Sequence, residues 1–307
     1  MEVFEDFKGQ NLFEFMERFP DDESCKAYLA EYKWNEGFVC PQCGCTEEHH
    51  SNEPSTKRCK RCLHKESATA GTLFHKVKFG LKKAFYLVFE IVTTSKSSSS
   101  IVYANKLGIQ QKTAWLFCQK VRYAMESSKL YPLEGKVEVD ETYIGGESEG
   151  KRGRGAENKI AVVIAIEKNN LEDGIKRAYA QVIDNCSSEE LRKIFVDHVD
   201  NSAQIKTDKW TGYLPIMKVW NIEMEKSKGG QNFELMHRFI MGLKSWIRGI
   251  FHWINPGHLQ KYLDEYCYRF NRSIFKETIF DKLIVRMVKH EPRPYKLIIL
   301  NKPKLNA

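Results

Sequence analysis

Two pairs of cysteines have the spacing of a zinc site. Cys40 and Cys43 form one Cys-x-x-Cys pair, Cys59 and Cys62 form a second, and 15 residues separate the two pairs. Each pair can bring two thiolates to one metal ion, so the two pairs together complete the tetrahedral shell that zinc prefers. Because four protein ligands leave no open position, this zinc is expected to stabilise the fold without taking part in catalysis. Other donors that lie close enough to substitute are Cys45, His49, His50 and His64.

Two aspartates form a second candidate metal site. Asp140 lies in the β-rich stretch GKVEVDETYIGG, and Asp208 directly follows the short stretch AQIKT. If the two carboxylates converge, they can hold two Mg²⁺ or Mn²⁺ ions that activate the attacking oxygen and stabilise the leaving oxygen of a phosphodiester. Side chains alternate along a strand, so Glu138 should share the face of Asp140 while Glu141 points the other way. The alternative is that both aspartates only cap turns at strand ends.

The elements around these aspartates predict a mixed α/β domain. Strands are expected at 137–143, at the buried apolar run 159–167 and at 177–183, followed by a helix at 187–199 and a fourth strand at 203–207. Three strands, a helix and a strand give the order of an RNase H-like domain, in which the first and fourth strands are neighbours. This order would bring Asp140 and Asp208 together. Further elements are predicted as helices at 210–219, 233–249 and 256–271 and a fifth strand at 220–224.

A helix-turn-helix pattern lies between the cysteines and the aspartates. Ile101, Ala104 and Leu107 line one face of a short helix, Gly108 allows a tight turn, and a second apolar face runs from Ala114 to Ala124. In a DNA-binding motif of this kind the second helix enters the major groove. An ordinary helical hairpin is the alternative. The residues at the start of the second helix, which would contact DNA, are Gln110, Gln111, Lys112 and Thr113.

Composition is that of a globular protein, and its basic balance is compatible with a polyanionic partner without requiring one. The chain has 307 residues and a net charge of +8, and it has neither an apolar run long enough to span a membrane nor a signal sequence, so it is expected in the cytoplasm and at the nucleoid when bound to DNA. The alternative for its basic clusters is an ordinary solvated surface. Those clusters comprise Lys57, Arg58, Lys60, Arg61 and Lys65, then Lys76, Lys78, Lys82 and Lys83, and then Lys151, Arg152 and Arg154.

The predicted fold class is α+β with several domains. We expect an N-terminal helical segment at 1–36, a zinc ribbon at 37–75, the helix-turn-helix region at 76–131, an RNase H-like catalytic domain with a mixed sheet at 132–291, and a C-terminal tail at 292–307.

Several motifs, in order, resemble those of bacterial insertion-sequence transposases. The stretches are CPQCG, AGTLFH, KTAW, VDETYIGG, TDKWTGY and LKSWIRGIFHWINPGHLQKYLDEYCYRFNR, and the similarity runs from about Phe38 to Arg272. They are similar to the zinc-ribbon group related to Merlin elements. The resemblance implies a DDE-type catalytic domain of RNase H-like fold, binding to terminal inverted repeats, and metal-dependent strand transfer.

The resemblance also implies a set of site residues. Asp140 and Asp208 match the first two catalytic acids, and the motif lysine matches Lys244. The third acid of the family lies seven residues before that lysine, where this chain has His237; Glu234, one helical turn earlier, is the alternative. Catalysis by the two aspartates alone, with His237 an ordinary helix residue, also stays open. Lys244 and Arg248 lie on the same helix face and are expected to contact DNA phosphate.

Three functions are compatible with these residues. The first is a transposase that cuts double-stranded DNA at element ends and joins it to a target, acting as a homodimer on paired ends. The second is a DNA-binding regulator whose RNase H-like domain is inactive, and the third is a nuclease without strand transfer.

Overall fold

The chain folds into two compact units. The computed structural model describes residues 6–9, 11–50, 53, 55–145, 159–169, 173–227, 231–252 and 254–299. The first unit contains the described residues up to Met125 together with residues 274–299, and the second contains those from Glu126 to Ser273. The predicted basic residues Lys151, Arg152 and Arg154 lie outside the described residues.

Helices and strands follow the order that the sequence analysis expects, except that 210–219 is not an α-helix and two helices follow residue 273. The helices are α1 (Leu12–Arg18), α2 (Asp22–Lys33), α3 (Leu81–Thr93), α4 (Ser100–Leu107), α5 (Gln111–Met125), α6 (Ser188–His198), α7 (Glu234–Ile250), α8 (Leu259–Phe270), α9 (Lys276–Lys289) and α10 (Tyr295–Ile299). The strands are β1 (Glu48–His49), β2 (Thr56–Cys59), β3 (Lys65–Ser67), β4 (Lys136–Ile144), β5 (Ile160–Lys168), β6 (Ile175–Ile183), β7 (Gln204–Thr207) and β8 (Ile222–Met224).

An aromatic core holds the first unit together. The rings of Phe15 and Phe89 lie 4.8 Å apart between centroids, and Phe19 packs edge-on against Phe85 at 5.1 Å. Phe280 of α9 inserts among these rings. The first unit is therefore closed by a helix from the far end of the chain.

This position of α9 differs from the predicted division, which placed residues up to 291 in the catalytic domain. The apolar face of α9, with Phe280, Leu283 and Met287, is buried against the N-terminal helices. The Leu73 N–H donates to the Met287 carbonyl at 3.0 Å, and the Tyr28 hydroxyl donates to Asp281. An amphipathic pattern shows that a helix needs a core without showing which core it joins. The predicted tail also contains α10, whose Ile298 is buried.

The helical hairpin forms where it was expected. Helix α4 begins with the Ser99 side chain accepting from the Val102 N–H at 3.5 Å, and it ends at Gly108, whose φ of 61° is left-handed. Helix α5 starts three residues later and packs against α4. Glycine adopts such a φ without steric cost, so the sharp turn follows from the sequence.

The second unit contains, in the described residues, a five-stranded mixed sheet of order β6-β5-β4-β7-β8. Strands β4, β5 and β6 are antiparallel, whereas β7 and β8 run parallel to β4. Helix α6 covers one face, where Val139 and Val163 pack with Phe195. Helices α7 and α8 cover the other face, where Ile164 packs with Phe239 and Leu263. The RNase H-like order of the sequence analysis is confirmed.

One predicted helix in this unit is absent. The segment expected to be helical at 210–219 forms two short 3-10 turns instead, Thr211–Tyr213 and Ile216–Lys218. Pro215 lies between the turns and has no N–H to continue a helix from the first turn into the second.

The outer edge of β6 is covered by side-chain amides from α8 and the residue after it. The Asn271 amide accepts from the Ala178 N–H at 2.7 Å and donates to the Ala178 carbonyl at 2.9 Å. The Gln260 amide accepts from the Val182 N–H at 2.8 Å and donates to the Ala180 carbonyl at 3.1 Å. Each amide thus occupies the place of a residue of a neighbouring strand.

Candidate active site and metal centres

The register between β4 and β7 brings the two predicted aspartates together. Val137 pairs with Ile205 and Glu138 with Lys206 in the parallel ladder. Two residues further along each strand, Asp140 and Asp208 reach the same edge of the sheet. Their convergence is therefore a consequence of parallel pairing between the first and fourth strands, as the sequence analysis expected.

A third carboxylate joins the two aspartates. One carboxylate oxygen from each of Asp140, Glu141 and Asp208 lies within 4.8 Å of the others, and all three residues are half-buried. Hydrogen bonds orient two of them: the Glu141 N–H donates to Asp140 Oδ1 at 2.8 Å, and the Trp210 N–H donates to Asp208 Oδ1 at 3.0 Å. We call these three residues the acidic cluster. Three hard oxygen donors at this spacing fit a divalent cation such as Mg²⁺.

Glu141 was missed by the sequence analysis. Alternation along a strand places it on the face opposite Asp140. The described ladder between β4 and β7 ends at Glu138, and β7 itself ends at Thr207. Beyond the ends of this ladder, the carboxylates of both Asp140 and Glu141 lie close to the Asp208 carboxylate. The available signal was the pair of adjacent acids at the point where the apolar strand pattern ends.

The residues of the TDKWTGY stretch form a turn after Asp208 that requires both a tryptophan and a glycine. The Trp210 indole N–H donates to the Cys186 carbonyl at 2.8 Å, which fixes the turn against the start of α6. Gly212 lies so close that a Cβ atom there would stand 2.5 Å from Trp210 Nε1 and 2.9 Å from the Cys186 carbonyl oxygen. Ser188 also donates to the Gly212 carbonyl at 2.7 Å. These contacts hold the backbone that orients Asp208.

Tyr213 supports the acidic cluster from inside the core. It is fully buried in the cluster of apolar side chains beneath α6. Burial raises the pKa of its hydroxyl well above the usual value, and the nearby carboxylate of Glu141 raises it further. The phenol therefore stays neutral beside the acids and cannot act as a base at neutral pH.

The predicted residues of α7 lie on its solvent side. His237 and Glu234 are both exposed, and Glu234 lies 3.8 Å from Arg238. Within the described part of the chain, neither of the two groups of residues that could hold a metal ion includes His237 or Glu234. Their assignment as third ligand stays a prediction.

Lys244 lies close enough to the acidic cluster to interact with it. It is half-buried, and burial lowers the pKa of its ammonium. The cations Arg248 and Lys159 lower this pKa further, whereas the Asp140 carboxylate opposes them. Arg248 is exposed, and its Nε donates to the Lys244 carbonyl at 3.4 Å. A positive surface therefore adjoins the negative cluster, as a phosphodiester substrate requires.

The four predicted zinc ligands converge in the first unit. Their sulfur atoms all lie within 4.8 Å of one another, with Cys40 to Cys62 and Cys43 to Cys59 each at 3.5 Å. A tetrahedron with Zn–S bonds of about 2.3 Å has edges of about 3.8 Å, so the donor set fits zinc. Cys45 and His64 are outside this group in the described residues. A zinc ion held by these four sulfurs would have no open position.

The ribbon around the zinc site is a small antiparallel sheet. Strand β2 pairs with β1 and with β3. Among the predicted DNA contacts here, Lys57 pairs with Glu48 at 2.7 Å and Lys60 approaches Glu47 at 3.5 Å, whereas Arg58 and Arg61 are exposed and have no ion pair among the described residues. The two arginines are thus the more accessible cations of this group.

The predicted DNA contacts of the helical hairpin differ in exposure. Gln110, Gln111 and Lys112 are exposed, whereas Thr113 is half-buried. The Gln111 amide donates to the Ser100 hydroxyl at 2.8 Å. The hairpin therefore presents three side chains at the start of α5 to solvent.

The fold and the two sites together define a class of protein. Residues 132–271 match the family model described as the ISXO2-like transposase domain, and residues 20–65 match the transposase zinc-ribbon domain. A Cys₄ ribbon that precedes a mixed sheet with an acidic cluster on adjacent parallel strands is the organisation of a DDE-type transposase.

The particular family follows from the two matches. The chain belongs to the ISXO2-like insertion-sequence transposases, as the motifs in its sequence predicted. No curated protein matches the sequence. No helix in the described residues is long and apolar enough to cross a membrane.

Proposed function

We propose that this transposase binds the inverted-repeat ends of its own element and catalyses metal-dependent DNA cleavage and strand transfer. The observation that carries the proposal is the acidic cluster at the β4–β7 edge. Divalent ions bound there, Mg²⁺ or Mn²⁺, would activate the attacking oxygen and stabilise the leaving oxygen. DNA binding would use the ribbon and α5, and paired ends would be held by a homodimer.

Asp140 and Asp208 are proposed as two of the metal ligands. Their side chains are held by hydrogen bonds from the Glu141 and Trp210 N–H groups, so little reorganisation is needed when a cation binds. Glu141 is the third ligand that the geometry favours. His237, with Glu234 as its alternative, is the third ligand that the family motif favours.

Lys244 is proposed to bind the phosphate that reacts. Its partly buried ammonium is close enough to interact electrostatically with the Asp140 carboxylate. A buried charge also interacts more strongly with a bound phosphate than an exposed charge does. Arg248, one turn later on the exposed side, would contact a neighbouring phosphate of the same strand.

The experiment is cleavage and joining of DNA that carries the gene's own flanks, with Mg²⁺ or Mn²⁺. We expect joined products from the wild type, and their loss in Asp140→Asn and Asp208→Asn. Loss of activity in Glu141→Gln, with His237→Ala still active, would assign the third ligand to β4. The reverse pattern would assign it to α7.

A second function is favoured by one observation. Since His237 is exposed and α7 supplies no carboxylate to the acidic cluster, the second unit could be inactive and the chain a DNA-binding regulator. Tight binding of the flanks without metal-dependent cleavage would support this function. Cleavage without joining would instead indicate a nuclease.

A further inference from the structure

A cavity of about 500 Å³ lies beside the helical hairpin in the first unit. One wall is a single face of α5, formed by Thr113, Leu116, Phe117 and Lys120 at helical spacing. The other walls are the segment from Lys76 to Phe79 and the turn from Gly108 to Gln110. The Phe79 and Phe117 rings pack edge-on at 5.4 Å and stiffen one side. The volume suits a ligand of nucleotide size.

The charge of this cavity has one sign. Lys76, Lys78 and Lys120 line it, and none of its lining residues is an aspartate or glutamate. We call it the lysine cleft. None of the three lysines forms an ion pair with another described residue.

Lys120 is the unusual member of this set. The residue is only 8% exposed, and its ammonium donates to the His75 carbonyl at 3.4 Å, a long and weak hydrogen bond. Burial lowers the pKa of the Lys120 ammonium, and burial, followed by the charges of Lys76 and Lys120, lowers the pKa of the neighbouring His75. An ammonium buried without a carboxylate is costly to the folded state, so its retention points to an anionic ligand.

We propose that the lysine cleft binds a phosphate group of the DNA strand that α5 contacts, with the attached sugar against Leu116 and Phe79. The proposal rests on the proposed function, because it names the part of the first unit that holds the DNA backbone. Gln110 and Thr113, at the start of α5, lie in the same cleft, where the helix N-terminus adds partial positive charge. Phosphate contacts of this kind fix the register in which a helix reads base edges.

The test compares DNA binding and stability in the full-length protein. The variant Lys120→Met keeps the length of the side chain and removes its charge. The control is Lys83→Met, which removes an exposed lysine of α3 outside the cleft. Affinity for a duplex with the gene's flanks is measured across a range of salt concentrations. Each lost phosphate contact lowers the slope of log K against log salt by about one.

We expect about a tenfold loss of affinity and a slope smaller by about one for Lys120→Met. Its melting temperature should stay equal to that of the wild type or rise, because an unpaired buried charge is removed. A methylphosphonate placed at the contacted phosphate should weaken binding by the wild type and have no effect on Lys120→Met. The control should retain the wild-type response to that methylphosphonate.

Other outcomes distinguish failure of the lysine-cleft proposal from failure of the proposed DNA-binding function. Wild-type affinity and salt slope in Lys120→Met, with the flanks still bound tightly, would overturn the lysine cleft while DNA binding by the first unit stands. A wild type that binds no DNA would overturn both. Binding of a free deoxynucleoside monophosphate that is lost in Lys120→Met, with unchanged DNA affinity, would show that the cleft serves a free nucleotide and refute the DNA contact.

Discussion

Three carboxylates held this close together should destabilise the protein when no cation is bound. At the 4.8 Å upper limit of the separation within the cluster, two unit charges repel by about 3.5 kcal/mol at an effective dielectric constant of about 20 and by about 0.9 kcal/mol in water. The residues are half-buried, so each pair lies between these limits. Relaxation of the side chains reduces the effect, and we expect a net cost of about 1–2 kcal/mol.

The variant Asp208→Asn isolates this cost. An asparagine keeps the Oδ1 acceptor for the Trp210 N–H, so the turn stays capped while the charge is lost. Without divalent ions, the free energy of unfolding of the second unit should rise by about 1–2 kcal/mol. At a Mg²⁺ concentration about one hundred times its Kd, the wild type should gain about 2.7 kcal/mol and the variant much less. The order of stability should therefore reverse.

The measurement is urea unfolding followed by tryptophan fluorescence, since Trp210 and Trp220 lie in the core of this unit. Divalent ions should be removed from the buffer by resin, because a strong chelator would also strip the zinc. Asp173→Asn is a matched control, since Asp173 is exposed and outside the acidic cluster. If Asp208→Asn destabilises the protein in both conditions, and Mg²⁺ stabilises both proteins equally, the aspartates are turn caps and not a metal site.

Three further predictions concern other parts of the chain. Cys59→Ser should lose bound zinc and unfold the ribbon, which a zinc-release assay and proteolysis of the full chain would show, since the four sulfurs are the only tetrahedral donor set in the described residues. Gly212→Ala should destabilise the second unit by about 1–3 kcal/mol and reduce cleavage, because its Cβ would clash with the Cys186 carbonyl, whereas Gly174→Ala, with nothing within 4 Å, should be nearly neutral in the same unfolding assay. Burial, aided by the Asp6 carboxylate, raises the pKa of Asp281 to about 7, so the folded state retains this proton while the unfolded state loses it near pH 4. Stability of the first unit should fall as pH rises from about 4 to about 7 and level off above, and a pH series of melting curves that is equally steep in Asp281→Asn would contradict the assignment.

The grouping of the four cysteines and that of the two aspartates could be predicted because the signals are local. A Cys-x-x-Cys pair fixes the separation of its own thiolates, and an acid at the end of an apolar strand marks a sheet edge. Glu141 could not be predicted from alternation alone, since its approach to Asp208 depends on where the ladder between β4 and β7 ends. Sequence periodicity identifies a strand but does not show how many of its residues pair with the neighbouring strand.

The packing between elements that are distant in the sequence was harder to predict. Helix α9 has the amphipathic pattern of any surface helix, and it joins the first unit because Phe280 completes an aromatic core built by distant residues. The segment at 210–219 has apolar residues at helical spacing, yet the contacts of Trp210 and Gly212 with Cys186 hold it in a tight turn. Tertiary contacts determine which core α9 joins, and at 210–219 they act together with Pro215, which cannot continue a helix.

The amides on β6 have a consequence for how copies of this protein can associate. An uncovered edge strand invites a second chain to extend the sheet, and this route leads to swapped or fibrous assemblies. The side chains of Asn271 and Gln260 already bind backbone N–H and carbonyl groups of Ala178, Ala180 and Val182. These groups are therefore not available to a strand from another molecule. A second copy of the chain therefore cannot extend the sheet by pairing with these residues of β6, and the same two amides protect newly made chains from joining edge to edge there.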